Sequence, residues 1–328
     1  MASPGQSSLF TVFSEAVTTA YRNHKSEITD NTTKHNALFR RLYSKGRKRI
    51  EDGGLSIVTP LDYQANNTVQ RYSGYDTLNI GAVDVLTAAE YAWKQMAVHV
   101  AASGLELRQN SGSNRIINLI KAKLKNAQNS MANTLAVDLY SDGTLTNQIG
   151  GLQALIADAG TGTVGGINSS TYAFWQNVVQ SAAAPLQGGG AITPSATTIE
   201  SLMLPLYLRT TRNADMVDLI VFSEDYYTFF EQSQTSLKRY TNETSADAGL
   251  ISLKYKTADV FFDTTGIIPA AHGYFVNTDY LEFVVHEDAD MEMMDEKPSV
   301  NQDAVVHPII WMGNLVASAR FLHGVLKA

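Results

Sequence analysis

SNRIINLIKAKLKNAQNSMANTLAVDLYSDG, residues 113–143, carries the clearest periodicity in this 328-residue chain. Ile117, Ile120, Leu124, Ala127, Met131, Leu135 and Leu139 recur every three or four residues, and no Gly or Pro interrupts them. That spacing lines one face of an α-helix. Ser113 can cap the first turn, and Gly143 stands where a left-handed residue closes a helix. The reading is a helix over 113–142, a rod of roughly 45 Å. In a mid-sized chain such a rod serves as a spine.

Upstream, the apolar positions of residues 8–21 fall at helical spacing after a Ser cap. Residues 32–50 read as a second helix, with Leu38, Leu42 and Tyr43 opposite a basic face. From Gly53 the texture turns to short strand-like runs, 55–59 and 67–72, joined by Pro60 and a polar turn. The span 53–80 bends at Gly and Asn and has no long apolar face, so it suits lying across a neighbouring molecule. Residues 82–100 are β-prone. Beyond the spine, Gly-rich connections (143–168 and 187–194) lead to a helix over 195–214 despite Pro205. A strand at 218–222, a helix at 223–234, strands at 258–262, 273–276 and 281–285, and a β-rich end at 305–326 follow. The class is α+β with long connections.

Composition bounds the function. Hydrophobic residues are 44% of the chain, enough for a substantial core. No apolar run approaches the roughly 20 residues of a membrane helix, and the N-terminus lacks a signal pattern. The absence of cysteine excludes disulfides, thiolate metal sites and cysteine nucleophiles. Residues 22–49 hold nine Lys or Arg against two acids, a local net +7 within a chain of net −7. A basic arm on an acidic body is an interaction segment. Its candidate residues are Arg40, Arg41, Lys45, Arg47, Lys48 and Arg49, facing either nucleic-acid phosphates, bound nonspecifically, or the acidic body of a neighbouring copy.

Motifs for chemistry are weak. Gly160-Thr-Gly162-Thr-Val-Gly165 fits a dinucleotide pattern, but the run before it is helical and no acid occurs between Asp158 and Glu200. A loop is the better reading. His286, Asp288, Asp290 and Glu292 cluster metal-capable groups without the glycine turn of a calcium loop, so a solvated acidic turn is expected. Ser223 before Glu224 and Asp225 reads as a helix N-cap. No catalytic residue, metal or cofactor is assigned.

In order and phrasing the chain resembles major capsid proteins of tailed bacteriophages with the Hong Kong 97-type fold. The phrases are 54–60 (GLSIVTP), 138–143 (DLYSDG) and 166–177 (GINSSTYAFWQN). The resemblance implies an N-terminal arm (1–52), an extended E-loop (53–83), a P-domain (84–142 with 300–328) and an A-domain (143–299). It also implies hexamers and pentamers forming an icosahedral shell around double-stranded DNA, in a virion assembled in the bacterial cytoplasm. A portal, a separate scaffolding protein (the chain is short and starts at Met1) and a cement or decoration protein are the expected partners, with no membrane. Leu55, Ile57, Tyr63, Arg71, Tyr72 and Tyr75 are the candidate E-loop interface, and Gly74, Gly81 and Gly104 its expected hinges. Residues 50–93 contain no lysine, so the isopeptide cross-link of some members is not expected. An encapsulin-like cargo shell and a metal-dependent hydrolase are the other classes left open.

Overall fold

The computed structural model describes residues 37–105, 113–234, 253–263, 266–295, 297–298 and 303–328. The expected helix over 8–21 and the start of the 32–50 helix lie outside them.

The spine is a helix, Ser113–Asp138. Leu124, Ala127, Met131 and Leu135 are buried on one side, as their spacing requires. It ends four residues before the expected 142. The ladder tightens there, with Leu139 N–H on the Leu135 carbonyl, then Tyr140 on Val137 and Ser141 on Asp138. The Ser141 hydroxyl turns to the Ile149 carbonyl at 2.8 Å, and Gly143 has the left-handed φ of +70°.

The spine lies along strand Lys94–Ser103, where the Lys123 ammonium donates to the Ala101 carbonyl. That strand pairs antiparallel with the 14-residue strand Ala304–Ala317, from Ser103 opposite Ala304 to Lys94 opposite Gly313. The other edge of the long strand takes Leu281–His286 and the short strands Glu292–Met293 and Lys297–Pro298. Lys48–Glu51 closes this sheet, parallel to Leu281–His286.

A second six-stranded sheet runs Val178–Ser181, Gly324–Lys327, His272–Val276, Leu219–Phe222, Ala258–Phe262, Leu253–Tyr255. All four residues of Leu219–Phe222 are buried because both faces are covered. Leu219 and Val221 join the core shared with the spine and first sheet. Ile220 and Phe222 pack under helices Ile199–Thr210 and Glu224–Ser233. Strands covered on both faces lose apolar–polar alternation, which is why this run reads as continuously hydrophobic.

Sheet membership departs from the expected domain limits. Leu281–His286 belongs to the first sheet although it precedes residue 300, and Gly324–Lys327 belongs to the second although it follows it. The chain crosses between them at the 3-10 turn Arg320–Leu322. There the fully buried Arg320 donates to the Leu155 carbonyl (2.7 Å), the Trp175 carbonyl (2.9 Å) and Asn177 Oδ1 (3.0 Å). Burial pulls its pKa down to about 10, so it stays charged at neutral pH. Beside it, burial and the Arg320 charge hold His323 at about 4. Its neutral Nδ1 accepts the Asn277 N–H.

The basic segment folds differently from the expected single helix. Ala37–Ser44 is helical, and Gly46 (φ +67°) stops it. Arg47 N–H returns to the Leu42 carbonyl and Gly46 N–H to Tyr43, the paired bonds of a Schellman cap. The chain is then free to enter the sheet at Lys48. Leu38, Phe39 and Leu42 are buried, and Phe39 meets the Phe283 ring edge-on at 5.0 Å.

This placement sets the segment's cations on carboxylates of the same chain. Arg41 reaches Asp218 (2.9 Å) and Asp259 (3.3 Å), Lys45 reaches Asp218 (3.0 Å) and Asp279 (3.1 Å), and Arg47 reaches Asp279 (3.0 Å). Lys48 pairs with Asp290, and Arg49 with Glu51 and Glu282. Asp218 precedes the second-sheet strand Leu219–Phe222 and Asp259 lies within Ala258–Phe262, while Lys48 and Arg49 lie in the first sheet, so the segment clasps the two sheets together. Burial pushes Asp218 up, but the Thr278 hydroxyl and N–H, Arg41 and Lys45 outweigh it and hold its carboxyl below the usual range. Asp279 is likewise pushed up by burial and pulled further down by Arg47 and Lys45.

Two outcomes follow from these contacts. Arg320→Met strands two carbonyls and an amide oxygen, and should lower unfolding free energy by at least about 3 kcal/mol; an unchanged urea midpoint at equal slope would remove this role. Carboxyls whose folded pKa is depressed stabilise fully above the unfolded value of about 3.9, and that contribution is lost as pH falls through the folded values. Asp218→Asn should therefore cost about 2 kcal/mol at pH 7 and at pH 5, with the gap from the parent shrinking below about pH 4. Urea titrations at pH 7, 5 and 3.5 measure it, and a constant gap would refute the clasp.

Candidate functional site

Among the described residues, the loop between strands Ile57–Asp62 and Leu86–Tyr91 is the longest continuously exposed stretch. Its root is a regular antiparallel pair, Ile57 opposite Tyr91 through Asp62 opposite Leu86. Ile57, Thr59 and Leu61 point inward while Val58, Pro60 and Asp62 face solvent. Tyr91 is buried, and its hydroxyl donates to the Ala317 carbonyl at 3.0 Å. This fixes the root to the end of the long strand.

Beyond Tyr63 the backbone leaves the body. Residues 69–82 are exposed without exception, including Val69, Tyr72, Leu78 and Ile80, and Tyr75 is fully exposed. The tip closes as a turn. Asp76 accepts the Ser73 N–H through its carboxylate (2.7 Å) and returns its own N–H to the Ser73 carbonyl. Gly74 has φ +54° there, and Gln70 braces the turn on the Thr77 carbonyl.

The six expected interface residues divide. Leu55, Arg71, Tyr72 and Tyr75 are exposed, and Tyr63 is half-buried against the Phe174 ring at 5.5 Å. Ile57 is wholly buried in this chain's own core and is no interface residue, because strand alternation turns it inward while Val58 faces out. Of the expected hinges, Gly74 takes a left-handed φ and Gly81 does not. Gly104 serves close approach instead: a Cβ there would fall 2.2 Å from the Asp303 carboxylate.

The glycine-rich 160–165 stretch props the loop root. Thr163–Val164 and Ile167–Asn168 form a small hairpin. Its Gly165 carbonyl accepts the Glu90 N–H, and Trp175 Nε1 donates to the Val164 carbonyl (2.9 Å). Between root and hairpin lies an open groove of about 280 Å³, lined by Tyr63, Leu86, Ile167, Tyr172 and Phe174 with Asp84 among its polar groups. The hairpin leaves no strand-to-helix phosphate cradle, in line with the loop reading. The groove went unseen because its walls come from segments about a hundred residues apart.

The remaining motifs resolve into local contacts. Ser223 precedes helix Glu224–Ser233 as expected, but its hydroxyl accepts the His272 N–H instead of capping the helix. His286 accepts the Asp288 N–H and lies edge-on to Trp93, while Lys48 occupies Asp290. Among the described residues no three His, Cys, Asp or Glu side chains converge as a metal site, and no helix is long and apolar enough to cross a membrane. Arg41, Lys45, Arg47, Lys48 and Arg49 sit on carboxylates of their own chain, so a phosphate or a neighbouring copy would have to compete for them. Arg40 lies beside Arg41 in helix Ala37–Ser44.

No family model matches the chain, and no curated protein is similar to it in sequence. Solved structures are similar in fold. The capsid asymmetric unit of cyanophage A-1(L) superposes with TM-score 0.60 at 15% identity, over 85% of this chain and 89% of that one. The capsid of an empty GTA particle gives 0.56 at 10% identity, over 86% and 88%. The capsid of the myovirus phage XM1 gives 0.52 at 10% identity, over 88% and 91%. Across nearly its whole length, the chain has the Hong Kong 97-type α+β fold of tailed-phage capsid proteins.

Proposed function

We propose that this protein is a major capsid subunit that self-assembles into the icosahedral head shell enclosing double-stranded DNA of a tailed phage. The observation that supports it most is the whole-length fold likeness to capsids combined with a projecting loop whose apolar side chains have no cover. Contiguous exposed apolar surface marks an interaction site, and a subunit that repeats itself supplies the partner. In this reading the loop over 53–83 is the E-loop, and the sheet built on Ala304–Ala317 with the spine is the P-domain. The second sheet with its two helices is the A-domain.

Hexamers and pentamers are the expected capsomers, with a separate scaffolding protein, a portal and a decoration protein as the expected partners. DNA is met nonspecifically, by charge. The role is structural, and the protein resides in the virion. With no lysine in residues 50–93 and no cysteine, the shell is held without covalent links, by many weak repeated contacts.

Electron microscopy of the expressed chain tests the reading. Uniform polyhedral shells are the expected result, and their protein should run on a denaturing gel as one band at 35.8 kDa. A monodisperse monomer at every concentration would overturn the proposal. Shells that enclose protein cargo in place of nucleic acid would shift it to a cargo compartment.

A further inference from the structure

Two passages of the chain between the sheets are tied to each other. Residues 277–280 lead from His272–Val276 in the second sheet to Leu281–His286 in the first. Residues 318–323 lead from Ala304–Ala317 back to Gly324–Lys327. Nearer the first sheet, the Ser318 N–H donates to the Tyr280 carbonyl at 3.0 Å. Nearer the second, the Asn277 N–H donates to the ring Nδ1 of His323 at 3.2 Å, so this tie alone of the two uses a titratable acceptor. The His323 side chain is buried. Its backbone is held separately, the N–H on the Arg320 carbonyl and the carbonyl on the Val178 N–H.

Charged groups face this ring from several elements. Arg320, in the turn just before it, directs its N–H groups to Leu155, Trp175 and Asn177. Asp218, ahead of strand Leu219–Phe222, is engaged by the Thr278 N–H (2.7 Å) and hydroxyl (2.6 Å), by Arg41 and by Lys45. Asp279, in the neighbouring passage beside Tyr280, pairs with Lys45 and Arg47. Asp218 and the Tyr280 backbone favour a charge on the ring, but burial and Arg320 outweigh them.

We propose that His323 is an acid-released pin between the two passages. Its neutral ring holds the Asn277 N–H. A solvent proton bound at Nδ1 removes that acceptor and sets a second cation beside Arg320, while Asp218 is already engaged elsewhere. The joint lies inside one chain, so the inference does not depend on the shell reading. Its pH window follows from linkage. The folded pKa of the ring, about 4, lies below the unfolded value of about 6.5. An opened or unfolded chain therefore takes up the proton first. The tie contributes fully above about pH 6.5, and its contribution shrinks as pH falls toward 4. Asp218 and Asp279, with depressed pKa values, lose their contributions at lower pH, below about 4.

His323→Asn tests this, because an amide oxygen can replace Nδ1 as acceptor and cannot take a charge. In urea titrations of the full chain, lowering pH from 7.5 to 5 should shift the parent's unfolding equilibrium about 30-fold further toward the unfolded state than the variant's. Hydrogen exchange gives the local readout. The protection factor of the Asn277 amide should fall at least about tenfold over that range in the parent and hold steady in His323→Asn. Equal pH dependence in parent and variant would overturn the proposal. So would an Asn277 amide equally protected at both pH values, since His323 would then be a buried residue that pins nothing. Should His323→Asn not fold, the ring nitrogen shifts of the unaltered chain decide. A neutral ring protonated at Nε2 at pH 5.5 supports the pin, and an imidazolium or an Nδ1-protonated ring refutes it.

Discussion

A guanidinium sealed from water is tolerated only where its N–H groups find acceptors, and at Arg320 the acceptors come from one distant stretch, Leu155, Trp175 and Asn177. The consequences extend along a chain of bonds. Trp175, held through its carbonyl, donates its indole N–H to Val164. The hairpin fixed by that bond offers the Gly165 carbonyl to Glu90 at the loop root. A charge buried where the chain passes between the two sheets thus helps set the direction in which the exposed loop departs. The same charge helps keep His323 neutral, so the crossing carries one buried cation and not two.

Much of the architecture was legible because it is periodic. The three-four stepping of Leu124 to Leu135 returned as the buried face of the spine, and Gly143 took the left-handed φ its position required. The helix containing Pro205, the strand Ala258–Phe262 and the long β-rich end also lie where pattern placed them. What escaped was decided by turn chemistry and by contacts far apart in sequence. The reading of 32–50 as one helix, from Leu38, Leu42 and Tyr43 opposite a basic face, passed over Gly46. Only the paired bonds to Leu42 and Tyr43 show the chain turning into the sheet. Nothing local marks Arg320, because its partners lie more than 140 residues away.

Charge was the least readable quantity. A run of like charges signals an interaction segment, but sequence cannot say which acids it meets. Asp218, Asp259 and Asp279 are scattered through a region that reads as strands and turns, and folding gathers them under Arg41, Lys45 and Arg47. Burial alone would have raised the Asp218 and Asp279 pKa values. Their depression shows that the ion pairs and hydrogen bonds outweigh desolvation, so the segment works as a brace between sheets. The loop candidates show a related limit. Ile57 and Val58 are both apolar, and strand alternation buries the first and bares the second, while Leu55 is exposed because it lies before the strand begins.

The bareness of the loop also bears on time. A newly made copy leaves Tyr75 and Ile80 in water, and such a surface is adhesive to anything apolar that arrives first. Correct neighbours must therefore reach it faster than wrong ones do. The turn at Ser73–Asp76, stiffened by its own hydrogen bonds, presents those rings already ordered. Less entropy is then lost at the encounter, and the free subunit spends less of its life unprotected.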